Sequence, residues 1–186
     1  YLHDGGLLIV GDRTRIQLLA LDVDGVLTDG HLTYTSEGEE LKAFNTLDGL
    51  GLTALRQVGV QLAIITGRRS AIVERRAKEL HIDHLHMGCG NKTQALMEIC
   101  QEQGLDLKRV AYMGDDLNDL GPLSHVGLAL APANACDEAK ALASYITTKV
   151  GGQGAVRQAV EYILQAEGKW EAIVDSYRNE VYEIGQ

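Results

Sequence analysis

Short apolar runs alternate with longer helix-period segments along this chain, and that alternation constrains its fold more than any other feature. Ile16–Leu21, Val60–Ile65, His84–His86, Val110–Met113, Val126–Leu130 and Tyr145–Thr147 read as strands. Leu47–Val58, Ser70–Leu80, Lys92–Gln103, Asn134–Leu142 and Gly154–Glu167 read as helices. The strand runs lack a clean polar alternate, as expected where both faces are buried. Strand–helix repetition therefore predicts an α/β fold, a Rossmann-like parallel sheet flanked by helices. Right-handed crossovers bring the C-terminal ends of all strands to one edge, where open α/β sheets bind ligands.

One stretch interrupts the pattern. His31–Thr35 and Glu39–Phe44 flank Ser36-Glu37-Gly38, which predicts a β-hairpin directly after the first strand. From Lys169 the chain is amphipathic and charged, consistent with a terminal helix or a partly ordered tail. The 186 residues suit one domain with a sizeable core. The expected division is a single domain over 1–186, with a core at 16–167, a hairpin at 31–44 and a tail at 168–186.

Composition narrows the function classes. The 26 acidic against 17 basic residues give a net charge of −9. That argues against nucleic-acid or anionic-membrane partners, which want basic surfaces. Aromatics at 5% are too sparse for a base-stacking platform. The three cysteines, Cys89, Cys100 and Cys136, form no C-x-x-C, so a reduced, cytoplasmic setting is expected. No apolar run approaches the ~20 residues of a membrane span. Leu7–Val10, flanked by Asp4 and Asp12, is too short for a signal-peptide core.

Four motifs concentrate the chemistry. Leu19-Ala20-Leu21-Asp22-Val23-Asp24-Gly25 runs a buried strand into two carboxylates. At ~4 Å and an effective dielectric of ~20 such charges repel by ~4 kcal/mol, so a cation is needed, and oxygen ligands suit Mg²⁺. A capped turn of Asp and Gly would use the same residues. Ala63-Ile64-Ile65-Thr66-Gly67-Arg68-Arg69 ends another strand in a hydroxyl, a Gly and a cation, fitting either a phosphate cradle or a helix N-cap Thr. Lys92 stands at a helix start, against the helix dipole, which suits a nearby anion. Asn91 separates Gly90 from Lys92, so the segment is no Walker loop. Val110-Ala111-Tyr112-Met113-Gly114-Asp115-Asp116-Leu117-Asn118-Asp119 again ends a strand in clustered acids, a costly arrangement unless a cation or solvent absorbs the charge.

In this order, from about Ile16 to Glu161, the motifs resemble the haloacid dehalogenase superfamily of phosphotransferases. The resemblance implies that Asp22 is the nucleophile and Asp24 the general acid/base. It implies that Thr66, Gly67 and Lys92 bind phosphate, and that Asp115 holds Mg²⁺ with Asp22 and the backbone carbonyl of Asp24. The chemistry is coherent on its own terms. A carboxylate attacks phosphorus, and a second carboxyl protonates the leaving alkoxide and then deprotonates water. The first carboxylate cannot do both, being covalently occupied in the second step.

Neither the segment between Asp24 and Thr66 nor that between Thr66 and Lys92 has room for a cap domain of ~50 or more residues. Asp22-Val23-Asp24-Gly25-Val26-Leu27-Thr28-Asp29-Gly30, Gly38–Asn45, Asp48-Gly49 and Gly151–Arg157 resemble the family of phosphatases acting on 3-deoxy-D-manno-octulosonate 8-phosphate. That likeness implies a Mg²⁺-dependent homotetramer of lipopolysaccharide biosynthesis, with associating hairpins and a tail reaching a neighbour's site. It also implies substrate contacts from Asn45, Asp48, Gly49, Arg68, Arg76, Lys92 and Arg157. Leu52-Thr53 and Gln158 depart from the family pattern. Phosphatases of nonulosonate 9-phosphates, the sialic acid type, share nearly all these motifs. A signalling receiver also gathers acids, a Thr and a Lys, but its chain is ~120 residues and no acidic cluster follows the Lys. A non-catalytic regulatory module would lack an acid, and Asp22, Asp24 and Asp115 are all present.

Overall fold

The computed structural model describes residues 15–183; the Leu7–Val10 run lies outside them. Six parallel strands form one sheet in the order β5-β4-β1-β6-β7-β8: β1 (Leu18–Leu21), β4 (Gln61–Thr66), β5 (His84–Met87), β6 (Val110–Met113), β7 (Leu128–Ala131) and β8 (Tyr145–Ile146). Strand β1 is central, with Leu21 beside Ile64 of β4 and Met113 of β6. Its side chains alternate between two cores. Leu19 and Leu21 join α1 (Thr46–Gln57) and α6 (Ala155–Ala166) on one face. Leu18 and Ala20 join α3 (Lys92–Gln103), α4 (Leu120–His125) and α5 (Asp137–Leu142) on the other. Burial on both faces explains the unbroken apolar runs.

The hairpin is short. Strand β2 (Thr33–Tyr34) pairs antiparallel with β3 (Glu40–Leu41). Between β1 and β4 stand only this hairpin and α1, and between β4 and α3 only α2 (Ala71–Glu79) and β5, so neither segment carries a cap domain.

Two local readings are corrected. The helix after β4 is capped not by Thr66 but by Ser70, whose Oγ accepts from the Val73 amide at 3.4 Å. Helix α5 starts at Asp137 rather than Asn134, because Asn134 spends both ends of its amide elsewhere: Nδ2 donates to the Gly25 carbonyl at 3.0 Å and Oδ1 accepts from Gly151 at 2.6 Å. Helix α4 stands where no helix was expected, with Pro122 in its first turn, where Pro removes only an orphan donor.

The tail is a helix, α7 (Trp170–Glu183), seated through Trp170, Ile173 and Tyr177 on the α1/α6 core. Gln158 accounts for its own departure: its Oε1 accepts from Thr148 and Lys149 amides at 3.0 and 3.2 Å. Leu52 is fully buried core. No helix among the described residues is long and apolar enough to cross a membrane.

Candidate active site

The C-terminal ends of β1, β4 and β6 converge as the alternation requires. Asp22 follows β1 directly, its amide donating to the Met113 carbonyl at 3.0 Å. The chain then turns: the Val23 carbonyl accepts from Val26, Leu27 and Thr28 at 2.9–3.2 Å. The two carboxylates of the Asp22-Val23-Asp24 motif consequently part company, Asp22 turning inward and Asp24 outward.

Asp22 belongs to a buried cluster. Lys92 Nζ lies 2.8 Å from Asp22 Oδ2 and 2.8 Å from Asp119 Oδ1. These are the anions that a lysine at a helix start called for. The Lys92 side chain is 2% exposed and sits behind the carboxylates. Tyr112 donates its hydroxyl to Asp119 Oδ1 at 2.6 Å, and the Asp115 and Asp116 amides donate to Oδ2 at 3.1 and 3.3 Å. Asp119 is thus a fully engaged orienter, which sequence reasoning placed in the acidic motif without giving it a role. Its three-residue spacing from Asp116 was the available signal, since two acids so spaced at a helix start can form a capping box, as Asp116 and Asp119 do here.

Asp115 is the opposite case. Its Oδ1 is buried with no hydrogen-bond partner among the described residues. Among the described residues, Asp22, Asp115 and Asp119 offer carboxylate oxygens within 4.8 Å of one another. Burial, reinforced by the charges of Asp22 and Asp119, pushes Asp115 up to about 7. Burial and the Asp119 charge lift Asp22 to about 6, against the pull of Lys92. Burial pulls the Lys92 ammonium down, but the two carboxylates more than offset it and its pKa ends raised. Carboxyls held this high with an orphaned oxygen are the condition a hard divalent cation relieves. The residues present therefore fit such an ion.

Gly25 is required here. Its φ is +87°, and a Cβ would stand 2.0 Å from Asp115 Oδ2. The Gly151–Gly154 run also finds a reason here. A Cβ on Gly151 would lie 1.9 Å from the Gly25 carbonyl, and the Gly152 amide donates to the Val26 carbonyl at 3.1 Å. The glycines let this segment buttress the acid turn.

A pocket of about 250 Å³ opens over the cluster, lined by Asp22, Asp24, Gly30, Thr66, Gly67, Arg68, Asp115, Asp116 and Asn118. Asp24 stands at its mouth between two cations: Lys42 Nζ at 2.5 Å from Oδ1 and Arg68 Nε at 3.9 Å from Oδ2. Lys42 is the second residue without an assigned role, visible in the sequence only as one more lysine of the hairpin. Thr66 ends β4, buried, its Oγ1 3.5 Å from the Arg68 amide.

The remaining expected contacts do not line this pocket. Asn45 caps α1, accepting from Leu47 at 2.8 Å. Asp48, fully buried, accepts from the Arg157 amide at 2.8 Å and so caps α6 from outside that helix. A Cβ on Gly49 would stand 2.6 Å from Arg76 Nη2, so Gly49 admits Arg76, which stacks 5.6 Å from the Phe44 ring centre. Arg157 pairs with Glu161 at 2.7 Å and stacks on Trp170, beside a separate apolar cavity of about 440 Å³ under α7.

Comparison with known proteins agrees with this geometry. Residues 85–160 match the haloacid dehalogenase-like hydrolase family model. The chain is 42% identical over 161 residues to 3-deoxy-D-manno-octulosonate 8-phosphate phosphatase KdsC of Escherichia coli K12, spanning 87% of this chain and 86% of that one. KdsC of Salmonella typhi is 44% identical over 155 residues, 83% of this chain and 82% of its own. The phosphatase of Moraxella catarrhalis, crystallised with magnesium, phosphate and KDO, superposes with a TM-score of 0.85 at 49% identity, covering 87% of this chain and 93% of that one. The cobalt-bound Haemophilus influenzae enzyme gives 0.81 at 37% identity, covering 84% and 91%. By its sheet order, its acid cluster and these identities, the chain belongs to the 3-deoxy-D-manno-octulosonate 8-phosphate phosphatase family of haloacid dehalogenase-like hydrolases.

Proposed function

We propose that this chain, as one phosphatase domain, hydrolyses 3-deoxy-D-manno-octulosonate 8-phosphate to the free sugar acid and phosphate. The observation that carries the reading is Asp22, buried at the end of the central strand and paired with Lys92 at 2.8 Å, beside an Asp115 oxygen without a partner. Asp22, Asp115 and the Asp24 carbonyl would hold Mg²⁺, which when bound screens the phosphoryl charge and accepts developing charge on its oxygens.

In the first step an Asp22 oxygen attacks phosphorus, the P–O bond to the sugar breaks, and Asp24 gives its proton to the leaving alkoxide. In the second step Asp24 takes a proton from water as that water attacks the phosphoryl group, and Asp22 is released. Thr66 and Gly67, at the end of β4, receive the phosphoryl oxygens. Lys92 stabilises Asp22 from behind and holds its pKa below what burial alone would give. The pocket takes the phosphoryl end, and the sugar acid extends past Arg68 at the mouth.

The assembly we propose is a homotetramer. Leu32, Tyr34 and Leu41 of the hairpin are about half exposed, an apolar surface suited to a second copy. Three free cysteines suit the cytoplasm, where an early lipopolysaccharide sugar phosphatase would work.

The test is kcat/KM for the octulosonate 8-phosphate, a nonulosonate 9-phosphate and glucose 6-phosphate, with and without Mg²⁺. The octulosonate should lead, and glucose 6-phosphate, lacking a carboxylate for Arg68 to meet, should trail by ~30-fold or more. Preference for the nonulosonate would move the assignment to the sialic acid branch. Equal efficiency on glucose 6-phosphate would refute the sugar-acid reading.

A further inference from the structure

Lys42 lies on the exposed hairpin, yet its side chain is only 1% exposed. Leu41, its neighbour, points outward at 53% exposure, so strand alternation aims Glu40 and Lys42 at the site. Lys42 Nζ lies 2.5 Å from Asp24 Oδ1 and 3.3 Å from Glu40 Oε1. Glu40 Oε2 in turn accepts from the Ser70 hydroxyl at 2.6 Å. Ser70 caps α2, three residues beyond Gly67. An unbroken chain of contacts thus runs from Asp24 through the hairpin to the loop that follows β4.

The other cation at Asp24 behaves differently. Arg68 stands farther off at 3.9 Å, is 45% exposed and spends an Nη2 hydrogen on the Tyr34 hydroxyl at 2.7 Å. Lys42 is enclosed and makes the short contact. A buried lysine is expensive, and an apolar side chain would fill the same space at lower desolvation cost. What the charge provides is a fixed Asp24.

We propose that Lys42 is a positioning residue for the acid/base step, holding the Asp24 carboxyl where it meets first the leaving oxygen and then the attacking water. The proposal rests on Asp24 as the general acid/base. Proton transfer requires hydrogen-bond reach, and a misplacement of about 1 Å can cost ~100-fold. The hairpin, by the same contacts, is the element on which that placement depends.

The experiment uses the full-length protein with saturating Mg²⁺ and two leaving groups. An alkoxide, from the octulosonate 8-phosphate, needs a proton donor. A nitrophenolate, from p-nitrophenyl phosphate under single-turnover conditions with enzyme in excess, does not. Lys42→Met should lower kcat on the sugar-acid phosphate by about 100-fold with KM little changed, and single-turnover nitrophenol release by less than about 5-fold. Asp24→Asn should show the same split, more strongly. Glu40→Gln, which keeps the side chain's shape but loosens Lys42, should show a weaker split of about 5- to 10-fold, and it decides the matter if Lys42→Met fails to fold. Equal losses on both leaving groups, or none on the sugar acid, would overturn the assignment. If Asp24→Asn splits the substrates and the Lys42 and Glu40 variants do not, only Lys42's role falls. If Asp24→Asn itself shows no split, the acid/base reading falls and Lys42's role with it.

Discussion

Replacing Lys92 by Met isolates the cost of gathering acids at one sheet edge. Lys92 is enclosed with Asp22 and Asp119, each contacting Nζ at 2.8 Å. At that distance and an effective dielectric of ~20, each contact is worth ~6 kcal/mol before desolvation. Desolvation cancels much of this, and breaking a buried pair from one side typically costs ~3–5 kcal/mol. Against a total stability of ~5–15 kcal/mol for a domain, that is a large loss. The loss depends on pH, because Asp22 can take up a proton instead of remaining an unpaired anion. Its folded pKa already stands at about 6, and removing the cation raises it further. Between its unfolded and folded values such a carboxyl holds more protons folded than unfolded, so stability falls as pH rises. Urea unfolding in EDTA should therefore show Lys92→Met destabilised by ~3–5 kcal/mol at pH 8 and by clearly less at pH 5. A loss under about 1 kcal/mol at pH 8, or one equal at both pH values, would refute the reasoning.

Three further outcomes follow from the same contacts. Gly25→Ala, forced to φ +87° with its Cβ 2.0 Å from Asp115 Oδ2, should displace that carboxylate and weaken Mg²⁺ binding by ~10- to 100-fold in a calorimetric titration. Asp48→Ala should lower stability by ~1–2 kcal/mol by uncapping α6, and Asp48→Asn, which keeps an acceptor, by less; equal melting temperatures for all three proteins would deny the cap. Apparent Mg²⁺ affinity should rise from pH 6 to pH 8 as protons leave Asp115 and Asp22, whose pKa values stand at about 7 and 6, and a flat profile would contradict protonated ligands.

The sheet was legible because its inner strands β1, β4, β6 and β7 bury both faces and so write themselves as apolar runs. Asp22, Asp24, Thr66 and Asp115 were legible because a ligand edge collects the residues that immediately follow strands. Lys92 betrayed itself by opposing a helix dipole. What the sequence hid were contacts between distant segments. Asp48, expected as a substrate contact, accepts from the Arg157 amide at the start of α6, a contact its own segment does not announce. The fit of Gly151 against the Gly25 carbonyl joins segments far apart in the chain. Lys42 is indistinguishable from a solvated surface lysine until the hairpin folds over Asp24. Helix α4, Leu120–His125, stayed hidden because so short a helix does not show a helical period.

The central claim is that Asp22 carries the phosphoryl group. It is tested most directly by mixing excess enzyme with 3-deoxy-D-manno-octulosonate 8-phosphate and Mg²⁺, quenching in acid at short times, and following the Asp22 peptide by mass spectrometry. A phosphoryl group should appear on Asp22 as the sugar acid is released and disappear as phosphate forms, and Asp24→Asn should prolong its life. Phosphate formation at full rate with Asp22 never modified, or with the phosphoryl group on another residue, would contradict the account.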